Sequence, residues 1–298
     1  MIDIMGKRKI FFILSGVIIL TGLIAMLVGG LNQDIDFAGG TEMHVNIGKE
    51  FDNNEIKSIV GEVTGVDGAF IHVQKVGADG KQVIIKTTEI DTGKRNEVFE
   101  ALKEKYGLSI EDKLMTDNVN PTIGNELKYQ AFLATVIAAV LMLGYITIRF
   151  EFKSGVAAVA ALIHDLLIML TVYALFRIPI NTTFIAAMLT ILGYSINDTI
   201  VLFDRIRENK KYMKKEKFGN IANKSIWQTM ARSINTSLTT LIMITALYVL
   251  GVPSIKDFAF PLMIGILSGT YSSIFIASPV WVAWQEFQDK KKSRLRTT

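Results

Sequence analysis

The sequence contains no cysteine, which excludes disulfides, thiolate metal sites and cysteine nucleophiles and leaves the redox compartment unreadable. It has only three histidines, His44, His72 and His164, and their spacing matches no metal-ligand pattern. Charge is also missing, in blocks. Residues 10–30, 129–148 and 258–284 carry none, and between Arg177 and Asp204 the one charged side chain is Asp198. Half of the 298 residues are apolar and the mean hydropathy is +0.36, too high for an ordinary soluble domain. Apolar runs of about 20 residues are what a spanning helix needs, so the chain reads as an integral membrane protein.

What charge there is lies in two unequal shares. Residues 31–128 hold 11 Lys/Arg against 18 Asp/Glu, a balance of −7, leaving +11 for the rest. The chain opens with Gly6-Lys-Arg-Lys9 and then runs apolar from Ile10 to Gly30, without the short core and small-residue exit of a cleaved signal. Further spans are expected at 129–148, at 154–176, after Pro179, at 227–250 and at 258–284. The N-terminus, the 149–153 link, the 205–232 region and the tail hold 19 of the 32 Lys/Arg, so the positive-inside rule puts both termini in the cytoplasm. The expected organisation is residues 1–30 as N-terminus and first helix, 31–128 as an extracytoplasmic domain, 129–284 as helices two to six with a cytoplasmic segment at 204–226, and 285–298 as a basic cytoplasmic tail.

The 31–128 region has soluble character. Met43, Val45 and Ile47 alternate with His44 and Asn46, as in a half-buried strand. Asp52 with Glu55 resembles a capping box, after which Ile56, Ile59, Val60 and Val63 share a helix face. Residues 69–76 and 81–87 read as strands around the turn Gly77-Ala78-Asp79-Gly80. Thr92 is the expected cap of a second helix, with Val98, Leu102 and Tyr106 inward and Gly107 at its end. A last extended segment precedes Pro121. Strand, helix, strand, strand, helix, strand is the order of a ferredoxin-like α+β domain, which hosts many functions.

Three intramembrane groups can carry chemistry. Asp198 lies six residues, about 9 Å, below Asp204, where an acid costs at least a few kcal/mol. Thr190, Tyr194 and Asp198 share a face with Ser195 one turn off, and Asn197 and Thr199 flank the acid, as a proton relay requires. The competing reading is a structural hydrogen-bond acceptor. Arg232 begins a second group, continued by Asn235, Thr236, Thr239 and Thr240 at helical spacing. If Trp227 marks the interface, Arg232 lies about 7.5 Å deeper; alternatively it snorkels back to the interface. His164-Asp165 is the third: the acid is twelve residues from both Lys153 and Arg177, close to the midplane. Neighbours in sequence diverge by about 100° on a helix, so the two should not point at one site unaided. The alternative for Asp165 is a neutral acid that fastens its helix. A ladder of Gly265, Gly269, Ser273 and Ala277 lets another helix approach closely.

The motifs Asp36-Phe-Ala-Gly-Gly-Thr41, Asn118-Val-Asn-Pro-Thr-Ile-Gly124, His164-Asp165 and, above all, Gly193-Tyr-Ser-Ile-Asn-Asp-Thr-Ile-Val-Leu-Phe-Asp-Arg-Ile-Arg-Glu-Asn209 resemble the SecF family. SecF is the smaller membrane subunit of the bacterial SecDF accessory complex of protein export, and the resemblance covers essentially the whole chain. It implies six helices forming half of a resistance-nodulation-division-type (RND) transporter, pseudo-twofold with SecD. It also implies a proton pathway through Asp198 and Arg232, a further acid from SecD, and use of the proton-motive force to promote preprotein translocation. The partners implied are SecD, the SecYEG translocon with its accessory subunits, the emerging preprotein and membrane lipid, with no nucleic acid. The location implied is the bacterial cytoplasmic membrane. No catalytic residue, metal or cofactor is assigned. Tyr194, Ser195, Asn197, Thr199, His164, Asp165, Asn235 and Thr236 would support the pathway. Asp36, Phe37, Gly39, Gly40 and Thr41 would start the outer domain, and Asp204, Arg205, Arg207 and Glu208 would form the cytoplasmic end of the fourth helix. At Gly39 or Gly40 a positive φ or a close backbone approach is expected. The rival readings are one half of a small-molecule exporter and a non-conducting assembly scaffold.

Overall fold

The computed structural model describes residues 3–77, 79–119 and 121–297; Ala78 of the expected turn and Asn120 of the second motif lie outside the described residues. Among the described residues, six helices are long and apolar enough to cross a membrane. They are α1 (Arg8–Gly29), then, beyond a sheet domain, α5 (Pro121–Arg149), α6 (Phe152–Leu175), α7 (Thr182–Tyr212), α8 (Phe218–Leu250), and a final rod made of α9 (Pro253–Ser272) and α10 (Ser278–Thr297) joined by a π-helical turn at Ser273–Ala277.

The helices outrun the apolar runs that announce them. α5 begins at Pro121, ahead of Tyr129, and α7 continues without a break past Asp204 to Tyr212. α8 starts at Phe218 rather than near Trp227, so the basic segment is two helix ends around a short turn. Once a helix is nucleated in the apolar run, each further residue adds a hydrogen bond at little cost, and Arg, Glu and Lys are good helix formers.

Between α1 and α5 lie α2 (Ile35–Ala38), β1 (Gly40–Asn46), α3 (Asn53–Thr64), β2 (His72–Val76), β3 (Gln82–Thr87), α4 (Thr92–Tyr106) and β4 (Lys113–Val119). The sheet order is β2-β3-β1-β4 with every pair antiparallel, the ferredoxin-like arrangement. Met43, Val45 and Ile47 face a core shared with Ile56 and Val60 of α3 and Val98 and Leu102 of α4. Two caps differ from expectation. Asp52 accepts from the Asn54 backbone N–H at 2.9 Å, but Glu55 does not reach back to close a capping box. It pairs instead with Lys105 at 2.7 Å and accepts the Tyr106 hydroxyl. The second helix is capped by Asp91, which accepts from Lys94 N–H at 3.0 Å, and Thr92 is its first helical residue. Gly107 ends that helix at φ +70°.

Within the bundle, α6, α7 and α9 form the interior, while α1, α5 and α8 are largely exposed on the surface of the chain. The small-residue ladder explains the close contact of α7 and α9. A Cβ on Gly265 would collide with Ile191, and one on Gly269 would stand 3.0 Å from the Ser195 side chain.

Candidate intramembrane site

Helix α7 presents two polar edges to two different neighbours. On the α8 side, the Tyr194 hydroxyl reaches Thr240 Oγ1 at 3.2 Å and the Thr236 carbonyl at 3.3 Å. One turn on, Asp198 is 7 % exposed and its Oδ2 has no hydrogen-bond partner among the described residues. The groups that act on this carboxylate are Ser233 and, through charge, Arg232, which lies beyond ion-pair distance. Ser195 and Thr199 belong to the other edge, against α6 and the last rod, rather than to the Asp198 face. Asn197 is exposed on the surface of the chain and, among the described residues, does not bond the acid.

The α8 stripe is open. Arg232, Asn235, Thr236 and Thr239 are all exposed, and the threonine hydroxyls bond back to carbonyls of their own helix. Arg232 borders a cleft of about 460 Å³ whose rim includes Tyr145, Arg149, Asp204, Arg205 and Glu208. On that rim Arg205 pairs with Glu208 at 2.6 Å, and the Arg207 guanidinium bonds the Arg149 carbonyl at 3.0 Å.

Asp165 is held in the opposite manner. It is 0 % exposed, and its Oδ2 accepts from Ser195 at 2.6 Å and Ser272 at 2.8 Å. Its Oδ1 accepts from Ser268 at 2.6 Å and faces His164 Nδ1 at 3.1 Å. The expected divergence of His164 and Asp165 therefore does not keep the two side chains apart. His164 Nε2 continues the chain to Ser15 Oγ at 3.0 Å, Ser15 donates to Tyr271 at 3.2 Å, and Tyr271 donates to the Phe11 carbonyl at 3.1 Å. Sequence reasoning missed Ser15, Ser268, Tyr271 and Ser272. The signal was there in part: Ser268 and Ser272, four apart, each lie within a charge-free run and so must find an internal partner.

The motif at the start of the sheet domain is a junction. Asp36 Oδ2 accepts from the N–H of Thr182 at 3.0 Å and from its hydroxyl at 2.8 Å, which ties the motif to the first residue of α7. Gly39 has φ +76°, and a Cβ on Gly40 would collide with the Thr87 carbonyl, so both glycines are required where they stand. Phe37 is buried against the bundle, and the Thr41 hydroxyl bonds Asn118 at 2.9 Å. Lys86 on β3 pairs with Asp34 at 2.9 Å and lies 3.9 Å from both Asp36 and Glu42. Burial alone would lower its pKa, but the Asp34 carboxylate, helped by Asp36 and Glu42, holds it above the ordinary lysine value. His72, beside the same cavity of about 490 Å³, is pushed down by burial, with Lys57 and Lys86 adding to the effect and Asp34 opposing it.

The family described as protein export membrane protein SecD/SecF, C-terminal, matches residues 98–287. The protein translocase subunit SecF of Alicyclobacillus acidocaldarius is 38 % identical over 295 residues, 98 % of this chain and 96 % of that one. The chain belongs to the SecD/SecF family. Protein translocase subunit SecDF of Bacillus subtilis is also 38 % identical over 98 % of this chain, which corresponds to 39 % of that longer protein. The crystal structure of SecDF, a translocon-associated membrane protein from Thermus thermophilus, superposes with a TM-score of 0.80 at 33 % identity, covering 96 % of this chain and 39 % of that one. This SecD/SecF family member is thus a multi-pass membrane protein with the fold of the SecF-like part of such a fusion.

Proposed function

We propose that this chain is the SecF-type subunit of a SecD–SecF pair that uses the proton-motive force to promote preprotein translocation through the SecYEG channel. In this reading it lies in the bacterial cytoplasmic membrane with both termini inside and the sheet domain outside. The observation that carries it is the buried Asp198 with an unpartnered oxygen, beside a polar stripe on α8 that this chain does not cover. Hydrocarbon is a poor solvent for Arg232 and Asn235, so a second membrane protein closes that face; SecD is the partner its relatives' fusion indicates. An acid with a free lone pair at such an interface can take up a proton, which weakens the pull of Arg232 and lets the two halves shift. One charge crossing a potential of 100 mV supplies about 2.3 kcal/mol, enough to bias a two-state bundle.

The deciding experiment is export by the assembled complex with and without an uncoupler. Asp198→Asn keeps size and hydrogen bonding but cannot change charge, so assembly stays normal while the uncoupler-sensitive part of export disappears. Arg232→Met gives the same loss, and the double mutant adds little, since residues acting as a unit are non-additive. An Asp198→Asn complex that still responds to the uncoupler would remove the proton role and leave a scaffold. Preprotein contact by the sheet domain is part of the same proposal, supported by its acidic balance.

A further inference from the structure

Asp165 is the most deeply buried acid of the bundle, and the hydrogen bonds around it allow its protons to be counted. The Phe11 carbonyl can only accept, so Tyr271 spends its one proton there. Ser15 therefore gives its one proton to Tyr271, and has none for His164. The 3.0 Å contact between Ser15 and His164 Nε2 must then be bridged by a proton on Nε2. On the other side of the ring, the 3.1 Å contact of Nδ1 with Asp165 holds a second proton, whichever of the two atoms owns it. Ser195, Ser268 and Ser272 supply the remaining donors to the carboxyl group. Ser272 also lies 3.2 Å from the Gly269 carbonyl, a longer contact than its 2.8 Å bond to the acid.

The pair thus holds one proton more than a neutral imidazole beside a carboxylate, and its net charge is zero. That neutrality is what a site with 0 % exposure at Asp165 and 6 % at His164 demands, because a lone charge there is costly. We infer that His164 and Asp165 form a proton-binding site of their own, carrying one exchangeable proton at the junction of α1, α6, α7 and α9. Release is balanced as follows. The Nε2 proton leaves to water, the pair goes from zero to −1, and the Ser15 hydroxyl rotates from Tyr271 to donate to the bare Nε2, while the second proton stays between Nδ1 and Asp165. The ligand is a proton rather than a sodium ion, since hydroxyls at 2.6–2.8 Å touch the carboxyl group directly and leave no room for a cation between them. The facing groups are Ser15 from α1, Ser195 from α7, and Ser268, Tyr271 and Ser272 from α9. Tyr271 is the one titratable group among them, and α5 contributes no hydrogen bond among the described residues. Ser195 connects the site to α7, the helix of Asp198, one turn from that acid but on the opposite edge.

The test is nitrogen NMR on the full chain, labelled at histidine and assembled with SecD in lipid nanodiscs. With three histidines in the chain, the His164 resonances are those lost in His164→Gln. A proton on Nε2 that exchanges with solvent is expected, the second proton of the pair being shared between Nδ1 and Asp165. In Ser15→Ala, which removes the acceptor of that proton, the Nε2 resonance should shift while Nδ1 stays. A bare Nε2 at every pH would overturn the assignment, as would displacement of the proton by sodium chloride at fixed pH. Asp198→Asn should leave the His164 spectrum in place, so failure here and failure of the export reading are separate results.

Discussion

Asp165 and Asp198 are both nearly inaccessible carboxylates of the same helical bundle, and they are satisfied to opposite degrees. Asp165 is met by three serine hydroxyls and an imidazole drawn from three helices, whereas Asp198 keeps an oxygen with no partner and faces a stripe its own chain leaves open. A saturated acid is part of what fixes the bundle. An unsaturated one is a vacancy in the hydrogen-bond inventory, tolerable where a partner subunit or a proton completes it. Depth alone ranks Asp165 as the costlier group; the count of donors reverses the order.

The largest effect that tests this contrast is Asp165→Ala, which strands three hydroxyls and His164 in a dry interior. It should cost about 3–5 kcal/mol, as losing one partner of a buried charged network does, and lower the unfolding temperature in detergent sharply. A shift no larger than that of a surface substitution would mean the hub is dispensable. Gly265→Leu comes next. Its side chain must displace Ile191 where α7 meets α9, at an overpacking cost of about 1–3 kcal/mol, and should loosen both the Ser195 and the Ser268 bonds to Asp165. Asp198→Leu should move stability the other way in the chain without SecD. It removes an unpaired buried oxygen and gains about 1 kcal/mol, while export responsive to an uncoupler is lost. If Asp198→Leu destabilises as much as Asp165→Ala, the two acids do not differ as described. The smallest effect carries the comparison to where water reaches. His72 is held below its ordinary pKa of 6.5, so the folded state prefers it neutral, and the stability it contributes is present above that value and lost as pH falls below it. His72→Leu should therefore flatten the acid side of the stability profile of the sheet domain, by a small margin.

Much of the sheet domain was legible because its signals are local. Period-two alternation at Met43, Val45 and Ile47 needs no partner to be recognised, and Gly107 marks a helix end by itself. Caps failed where two candidates lay side by side. Asp91 and Thr92 are equally good in sequence, and only the extended backbone at Asp91, φ −67° and ψ 164°, decides between them. The apolar runs announced six spans but not their ends, since a helix does not stop where hydrocarbon does. Asp198 was visible as a lone charge in an apolar run. The environment of Asp165 was not, because Ser15 is 149 residues away from His164 and Ser272 is 107 away from the acid. Helical spacing correctly grouped Tyr194 with Asp198, yet it could not say that Ser195, one position on, turns to a different neighbour.

The bond from Asp36 to Thr182 has a mechanical meaning. α7 begins at Thr182, and Asp198 lies sixteen residues along the same unbroken rod, about 24 Å away. On the other side of that bond, β1 starts at Gly40, with the rest of the short helix α2 and Gly39 between. A helix is stiff along its axis, so a shift of α7 along it would be passed through Asp36 to the start of the first strand. The entry to the sheet and Asp198 are thus fastened to the same helix, one at its first residue and the other sixteen residues along it.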